Sequence, residues 1–309
     1  MNTPLVSVIM PAYNASKYIA ESINSLIAQT YNHWELIIVD DGSEDDLKNL
    51  VEKFSYNDSR IKYVYQQNGK QGKARNTGLE NARGELVAFI DADDIWMPKL
   101  LEKQIELITS TGADLVFANI TIIDRDGNIT DEHRIVSAEK FEGINGIKVL
   151  LKKNIVAITT VLAKKEAIIK AGGFKTSNEL QYAEDYDLWL RMLSNGNRFW
   201  CNQFALAFYR KHEMQSTKVL QSKYLQILEI IKSVPVDESL QKEKDNVIYL
   251  WLRRSLQVSK NLEHKNFRKL VQFIPSSFLR KISLFASYIL PMYLLRRITY
   301  QLSFLYQYK

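Results

Sequence analysis

Two acidic clusters stand out in this 309-residue sequence, Asp40-Asp41 and Asp91-Ala92-Asp93-Asp94, each directly after an apolar run, Leu36 to Val39 and Leu86 to Ile90. Carboxylates at the carboxyl ends of buried strands sit where open parallel sheets bind ligands, because loops there present polar groups over a rigid support. Asp is also a turn former and helix cap, so each of the four has a purely structural reading. Four acids on one edge repel unless a cation or hydrogen-bond donors offset them. The chemistry on offer is a hard divalent cation held by Asp91 and Asp93 against a diphosphate. Spacing alone decides nothing, since D-x-D recurs at Asp124/Asp126, where Asp126-Gly127 reads as a turn, and at Asp185/Asp187, where Asp187 is expected on a helix face. Only Asp91/Asp93 directly follows an apolar strand.

The elements that must position these acids alternate in type over the first 210 residues, as when crossover helices cover a mainly parallel sheet. Strands are expected at Val6 to Met10, Leu36 to Val39, Ile61 to Tyr65, Leu86 to Ile90, Leu115 to Ile123, Thr159 to Ala163 and Phe204 to Tyr209. Helices are expected at Ser16 to Gln29, capped by Asn14 or Ser16, and at Asp45 to Phe54, Lys73 to Ala82, Pro98 to Thr111 and Glu184 to Leu193. Gly172-Gly173 reads as the cap of a helix over Glu166 to Ala171, or as a close approach of backbone to a ligand; the cap is preferred. Trp189 and Phe174 read as core rather than as a stacking platform. Beyond His212 the signal is helical, punctuated by Pro235, Pro275 and Pro291.

Several function classes are excluded. Hydrophobic residues make up 46% and charged residues 25%, which rules out low-complexity and disordered chains. No G-x-G-x-x-G follows the first strand, and Gly72-Lys73-Ala74 lacks the rest of a Walker A loop, so dinucleotide and P-loop sites fail. The single cysteine, Cys201, builds neither an intrachain disulfide nor a thiolate metal site, and no secretory signal is visible, so a reducing, cytoplasmic setting is expected.

Taken in order, V-S-V-I-M-P-A-Y-N (6–14), I-I-V-D-D-G-S (37–43), G-K-A-R-N-T-G (72–78), F-I-D-A-D-D (89–94), G-G-F (172–174) and A-E-D-Y-D-L-W-L-R (183–191) resemble the inverting family 2 glycosyltransferases of the GT-A fold. The resemblance implies an α/β fold, Rossmann-like with a mainly parallel sheet, in a catalytic domain over residues 1–215, followed by a helical region over 216–309. It implies a nucleotide-sugar donor, with Pro11, Ala12 and Tyr13 lining the base pocket. Asp41, or Asp40 as second choice, would accept the uracil imide N–H with Arg75 nearby. Asp91 and Ala92 would line the donor site, Asp91 at the ribose, and Asp93 would ligate Mn²⁺ or Mg²⁺. Asp185, flanked by Glu184, would be the catalytic base. His212 falls where some relatives place a further metal ligand; it also reads as an exposed loop histidine. Such a transfer needs one carboxylate to take the acceptor's proton and a cation to offset the departing diphosphate. A non-catalytic relative that binds nucleotide-sugars or acts as a scaffold is opposed by the presence of Asp93 and Asp185. A nucleotidyltransferase would carry a Gly-rich basic loop where Pro11-Ala12-Tyr13-Asn14 stands.

The net charge of +6 conceals an asymmetry: residues 246–309 hold 11 Lys/Arg against Glu263 alone. Ile282 to Leu295 is uncharged, lies between Arg280-Lys281 and Arg296-Arg297, and is too short to span a bilayer. With seven aromatic residues around it, the tail suits the surface of an anionic membrane, on its cytoplasmic side. Its other reading is an appendage packing on the catalytic domain or on a second copy, making a homo-oligomer. Nucleic acid is not expected, and a lipid-linked or growing glycan is the acceptor that a membrane-bound tail favours.

Overall fold

The computed structural model describes residues 3–176, 183–213, 220–236, 238–258 and 264–275, together with 279, 283, 297 and 301. In chain order the elements are β1 (Val6–Ala12), α1 (Ile19–Ile27), β2 (Trp34–Asp40), α2 (Leu47–Asn57), β3 (Ile61–Tyr65), α3 (Lys70–Asn81), β4 (Leu86–Phe89), β5 (Ile95–Trp96) and α4 (Leu100–Thr111). There follow β6 (Leu115–Ile123), β7 (Ile129–Arg134), β8 (Lys140–Phe141), α5 (Gly143–Lys152), a 3₁₀ turn (Ile158–Thr160), β9 (Leu162–Lys164), α6 (Lys165–Lys170), α7 (Glu184–Ser194) and β10 (Phe199–Arg210). Three helices close the order, α8 (Leu220–Ser233), α9 (Glu238–Val258) and α10 (His264–Val271).

All ten strands join one sheet, ordered β3-β2-β1-β4-β9-β6-β10-β5, with β7 on β6 and β8 on β10. The half bearing the acid clusters is parallel, while β9 runs antiparallel between β4 and β6. β1 and β2 are buried at every residue, the mark of strands covered on both faces. Pairing of Ala12 with Asp40 and of Ile9 with Phe89 brings the ends of β1, β2 and β4 to one edge. All the acids of both clusters therefore emerge together.

Close packing fixes the helices beneath that edge. A Cβ on Gly78 would lie 2.3 Å from Cγ2 of Ile9, so α3 can press on β1 only because residue 78 has no side chain. Ser22 of α1 lies 2.9 and 2.6 Å from the carbonyl oxygens of Ala92 and Asp94, and Ser25 accepts the backbone N–H of Trp96 at 3.1 Å. One helix face thus holds the acidic loop.

The structure corrects two local expectations and adds detail to a third. α1 begins at Ile19 without a side-chain cap: Asn14 instead accepts the N–H of Glu44, and Ser16 donates to Asp45, stitching together the loops after β1 and β2. The first half of Thr159 to Ala163 is a 3₁₀ turn, because the Thr160 hydroxyl turns back to the carbonyl of Ala157. Asp187 faces inward, paired with Lys175 at 2.9 Å and Arg191 at 2.7 Å. Gly172 and Gly173 take positive φ and donate to Ile169 and Ile168, so they end α6 as a cap. Trp189 and Phe174 are core.

The chain forms two compact units, Met1–Leu150 with Asn154–Gln215, and Leu151–Lys153 with Ser216–Lys309. In the second, α8 and α9 bury Leu228, Ile231, Leu240 and Leu252, and Lys244 donates to the carbonyls of Lys232 and Val234 at the end of α8. Among the described residues no helix is long and apolar enough to cross a membrane. The Ile282 to Leu295 run lies almost wholly outside the described residues.

Candidate active site

At the edge formed by β1 and β2, Pro11 and Ala12 are buried in strand and Tyr13 is half exposed. The two aspartates after β2 differ. Asp40 has both oxygens engaged, one by the N–H of Ser43 at 2.8 Å and the other by the hydroxyl of Tyr63 at 2.6 Å. Asp41 accepts from Gln66 and from the N–H of Gly69, both at 2.7 Å and both on Oδ1. Its Oδ2 has no hydrogen-bond partner among the described residues.

The centre of the site is Arg75, carried by α3 and 2% exposed. Its guanidinium reaches Asp91 at 2.9 Å and Glu184 at 2.5 Å, joining the loop after β4 to the first turn of α7. Burial opposes its charge, but Asp91, Glu184 and Asp185 outweigh burial and hold its pKa above the ordinary arginine value. Arg75, expected beside a base, is therefore the tie between two acidic loops. Burial pushes the Glu184 carboxyl up to about 7; Arg75 opposes the rise and Asp185 adds to it. Glu184, expected with Asp185 as catalytic, is sealed against Arg75 at 4% exposure. Asp185 is partly exposed, accepting the N–H of Tyr186 at 2.7 Å on Oδ1 and the amide of Asn154 at 3.1 Å on Oδ2.

Asp91 and Asp93 keep 24% and 26% of their side-chain surface exposed. Burial raises the Asp91 carboxyl, Arg75 lowers it, and the charges of Asp93 and Asp185 raise it again, leaving it above the ordinary range. His212 is 12% exposed, with Nε2 at 2.8 Å from Oδ2 of Asp93. Asp94 is buried, its Oδ1 accepting the N–H of Arg210 at 3.0 Å. Burial, then Asp93 and Asp91, raise it well above the usual carboxylate range. A carboxylate oxygen beside an imidazole nitrogen, within crowded negative charge that a cation would relieve, fits a divalent metal. Among the described residues no three such side chains form a closed metal cluster. Any cation held by Asp93 and His212 would thus take further oxygens from a ligand.

Residues 7–171 match the model for "Glycosyl transferase family 2". The chain belongs to this family. Among its family 2 relatives is WfgD of Escherichia coli, a UDP-Glc:alpha-D-GlcNAc-diphosphoundecaprenol beta-1,3-glucosyltransferase, 35% identical over 214 residues that cover 67% of this chain and 79% of WfgD. Among solved structures, S. aureus TarS 1-349 in complex with UDP-GlcNAc superposes with a TM-score of 0.70 at 22% identity, covering 96% of this chain and 90% of that one. The mannosyltransferase PcManGT from Pyrobaculum calidifontis, in complex with GDP-Man and Mn²⁺, gives a TM-score of 0.62 at 15% identity, covering 97% and 88%. At these identities the structural likeness is one of fold, and the fold is GT-A.

Four residues at this family 2 site were not singled out in the sequence. Gln66 orients Asp41, and Asn154 binds Asp185. Asn76 holds both the N–H and the carbonyl of Phe174, at 2.9 and 2.7 Å, placing the turn after α6. Arg210 grips the acidic loop. Asn76 stood inside G-K-A-R-N-T-G, where a polar residue one position beyond Arg75 was the available clue; the others lie outside any motif.

Proposed function

We propose that this glycosyltransferase moves a sugar from a uridine diphosphate sugar to an acceptor hydroxyl with inversion at the anomeric carbon, using Mn²⁺ or Mg²⁺. The observation that carries the reading is the meeting of Asp91, Glu184 and neighbouring Asp185 around Arg75, although the acids lie about ninety residues apart in the chain. In the transfer, the acceptor oxygen forms a bond to the anomeric carbon as the bond from that carbon to the diphosphate oxygen breaks. The acceptor's proton passes to Asp185, and the bonding electron pair leaves with uridine diphosphate. Asp185 is suited to this: each of its oxygens already takes one N–H, which fixes its orientation. Arg75 offsets the charge of Asp91 beside the donor. Asp93 and His212 would hold the cation, which when bound supplies charge stabilisation to the leaving diphosphate.

Asp41 supports the choice of base. With Oδ1 engaged and Oδ2 open, it can accept a single N–H, which uracil and thymine offer; guanine presents two adjacent N–H groups there. The name of WfgD supports a lipid-linked or growing cell-surface glycan as acceptor. The basic, aromatic tail supports residence at the inner face of the cell membrane.

A thermal-shift series with UDP, UDP-glucose, UDP-GlcNAc, dTDP-glucose and GDP-mannose, each with Mn²⁺ and with a chelator, tests the reading. A ligand at one hundred times its Kd stabilises the native state by about 2.7 kcal/mol. Uridine ligands should raise Tm, and more so with Mn²⁺. A rise with GDP-mannose alone would refute the assignment of Asp41.

A further inference from the structure

β10 ends at Arg210, two residues before His212. The side chain is 2% exposed yet bonds to three separate segments. Nε donates to the carbonyl of Asp93 at 3.0 Å, Nη1 to that of Arg125 at 3.3 Å, and Nη2 to the carboxylate of Glu21. The backbone N–H of Arg210 donates to Oδ1 of Asp94 at 3.0 Å. The guanidinium lies 4.8 Å from the centre of the Tyr18 ring, which in turn lies 5.0 Å from the ring of His212. Burying a guanidinium is costly unless its N–H groups are bonded in good geometry. Among the described residues the carboxylate that the side chain meets, that of Glu21, is 60% exposed, whereas the backbone carbonyl of Asp93 is met inside the fold. Two of these contacts, to the carbonyl of Asp93 and to the carboxylate of Asp94, tie the acidic loop to the strand end that leads into His212.

We propose that Arg210 is a positioning residue for the cation site, holding His212 in register with Asp93; this rests on the reading of those two as cation ligands. The direct contact between Asp93 and His212 cannot do this itself. A cation bound by both side chains replaces their mutual hydrogen bond, and they would separate unless something else held them. Arg210 bonds the carbonyl of Asp93 and not its carboxylate, so its grip persists when the carboxylate turns to a metal. The Tyr18 ring touches both the Arg210 guanidinium and the His212 imidazole, so it packs the two together. Lysine keeps the charge but lacks the planar fork that meets several acceptors at once.

The test uses the full chain and two probes, Mn²⁺ and UDP. Calorimetry gives UDP affinity with Mn²⁺ and with EDTA, and electron paramagnetic resonance follows free Mn²⁺ in the presence of UDP. Arg210→Met should weaken Mn²⁺ binding about 10–100-fold, the usual effect of losing a partner that orients a metal ligand. Its UDP affinity in EDTA should equal that of the wild type, a combination that general loss of structure would not give. Arg210→Lys should recover part of the loss, and Tyr18→Leu should weaken Mn²⁺ binding in the same direction. Wild-type Mn²⁺ affinity in Arg210→Met overturns the proposal. If Arg210→Met loses UDP binding in EDTA, Tyr18→Leu decides, and unchanged Mn²⁺ affinity there overturns it equally. Asp93→Ala and His212→Ala separate the two levels of the argument. If they abolish the Mn²⁺ response while Arg210→Met retains it, only the positioning role falls; if the wild type shows no response, the cation reading falls and takes Arg210 with it.

Discussion

Glu184 and Asp185 are adjacent, alike in charge, and opposite in situation. Successive helix residues point about 100° apart, so at the start of α7 one carboxylate turns in to Arg75 while the next stays partly exposed. The same division separates Asp40, consumed by Ser43 and Tyr63, from Asp41, which keeps an oxygen open. A proton acceptor must be reachable by the hydroxyl it serves, and the proposed role of Asp185 rests on its exposure. Asp185→Asn should leave UDP affinity unchanged and lower turnover by about 10²–10⁴, the usual worth of a general base. Turnover equal to wild type, measured as UDP release, would remove Asp185 from the role. That an acid pair stood at each place was readable from E-D-Y and D-D-G. The family resemblance favoured Asp41 and Asp185; that their neighbours Asp40 and Glu184 are the more fully engaged members was not readable, because both members of each pair fit a strand end or a helix start equally well.

At the scale of elements, the acidic edge depends on anchors at the opposite end of the sheet. Glu35 at the start of β2 accepts from Ser7 of β1, Lys62 of β3 and both the backbone and the side chain of Arg83, which precedes β4. Burial alone would raise its pKa; hydrogen bonds from Lys62, Arg83 and Ser7 prevail and hold it at about 2, below the 4.5 of an ordinary glutamate. A carboxylate depressed in the folded state stabilises it above the unfolded pKa, and that contribution is lost as pH falls towards the folded one. Native stability should therefore decline between about pH 4.5 and about pH 2, with Glu35 contributing. Glu35→Gln should cost roughly 1–3 kcal/mol at neutral pH and flatten part of that acid decline in urea titrations across the range. An unaltered acid slope would show that other groups dominate. The strands Glu35 joins were legible as apolar runs. Its partners were not, since residues 7, 35, 62 and 83 form no pattern along the chain.

For the whole molecule, the first unit carries the chemistry and the second holds most of the excess positive charge in its sequence. Each Lys or Arg near an anionic bilayer contributes about 1 kcal/mol to attraction. Replacing Arg280, Lys281, Arg296 and Arg297 together by Gln should lower binding to vesicles containing phosphatidylglycerol at least tenfold. Binding to phosphatidylcholine vesicles and UDP affinity should not change. If the wild-type chain sediments no better with anionic vesicles than with neutral ones, the membrane proposal fails.

The sequence by itself determined the alternation of strands and helices, the mainly parallel sheet, and the clustering of acids at strand ends. These are written in local periodicity and in short motifs, and each depends only on neighbours within about one element. The tertiary structure decided what those acids are joined to. Arg75 reaches Glu184 across 109 positions, and Arg210 reaches Asp93 across 117. Neither partnership has a local signature, because a buried charge takes whichever partner the packed chain brings within hydrogen-bonding distance. The insertion of β9 antiparallel between β4 and β6, and the engagement of both oxygens of Asp40 while Asp41 bonds through one, were decided at the same level.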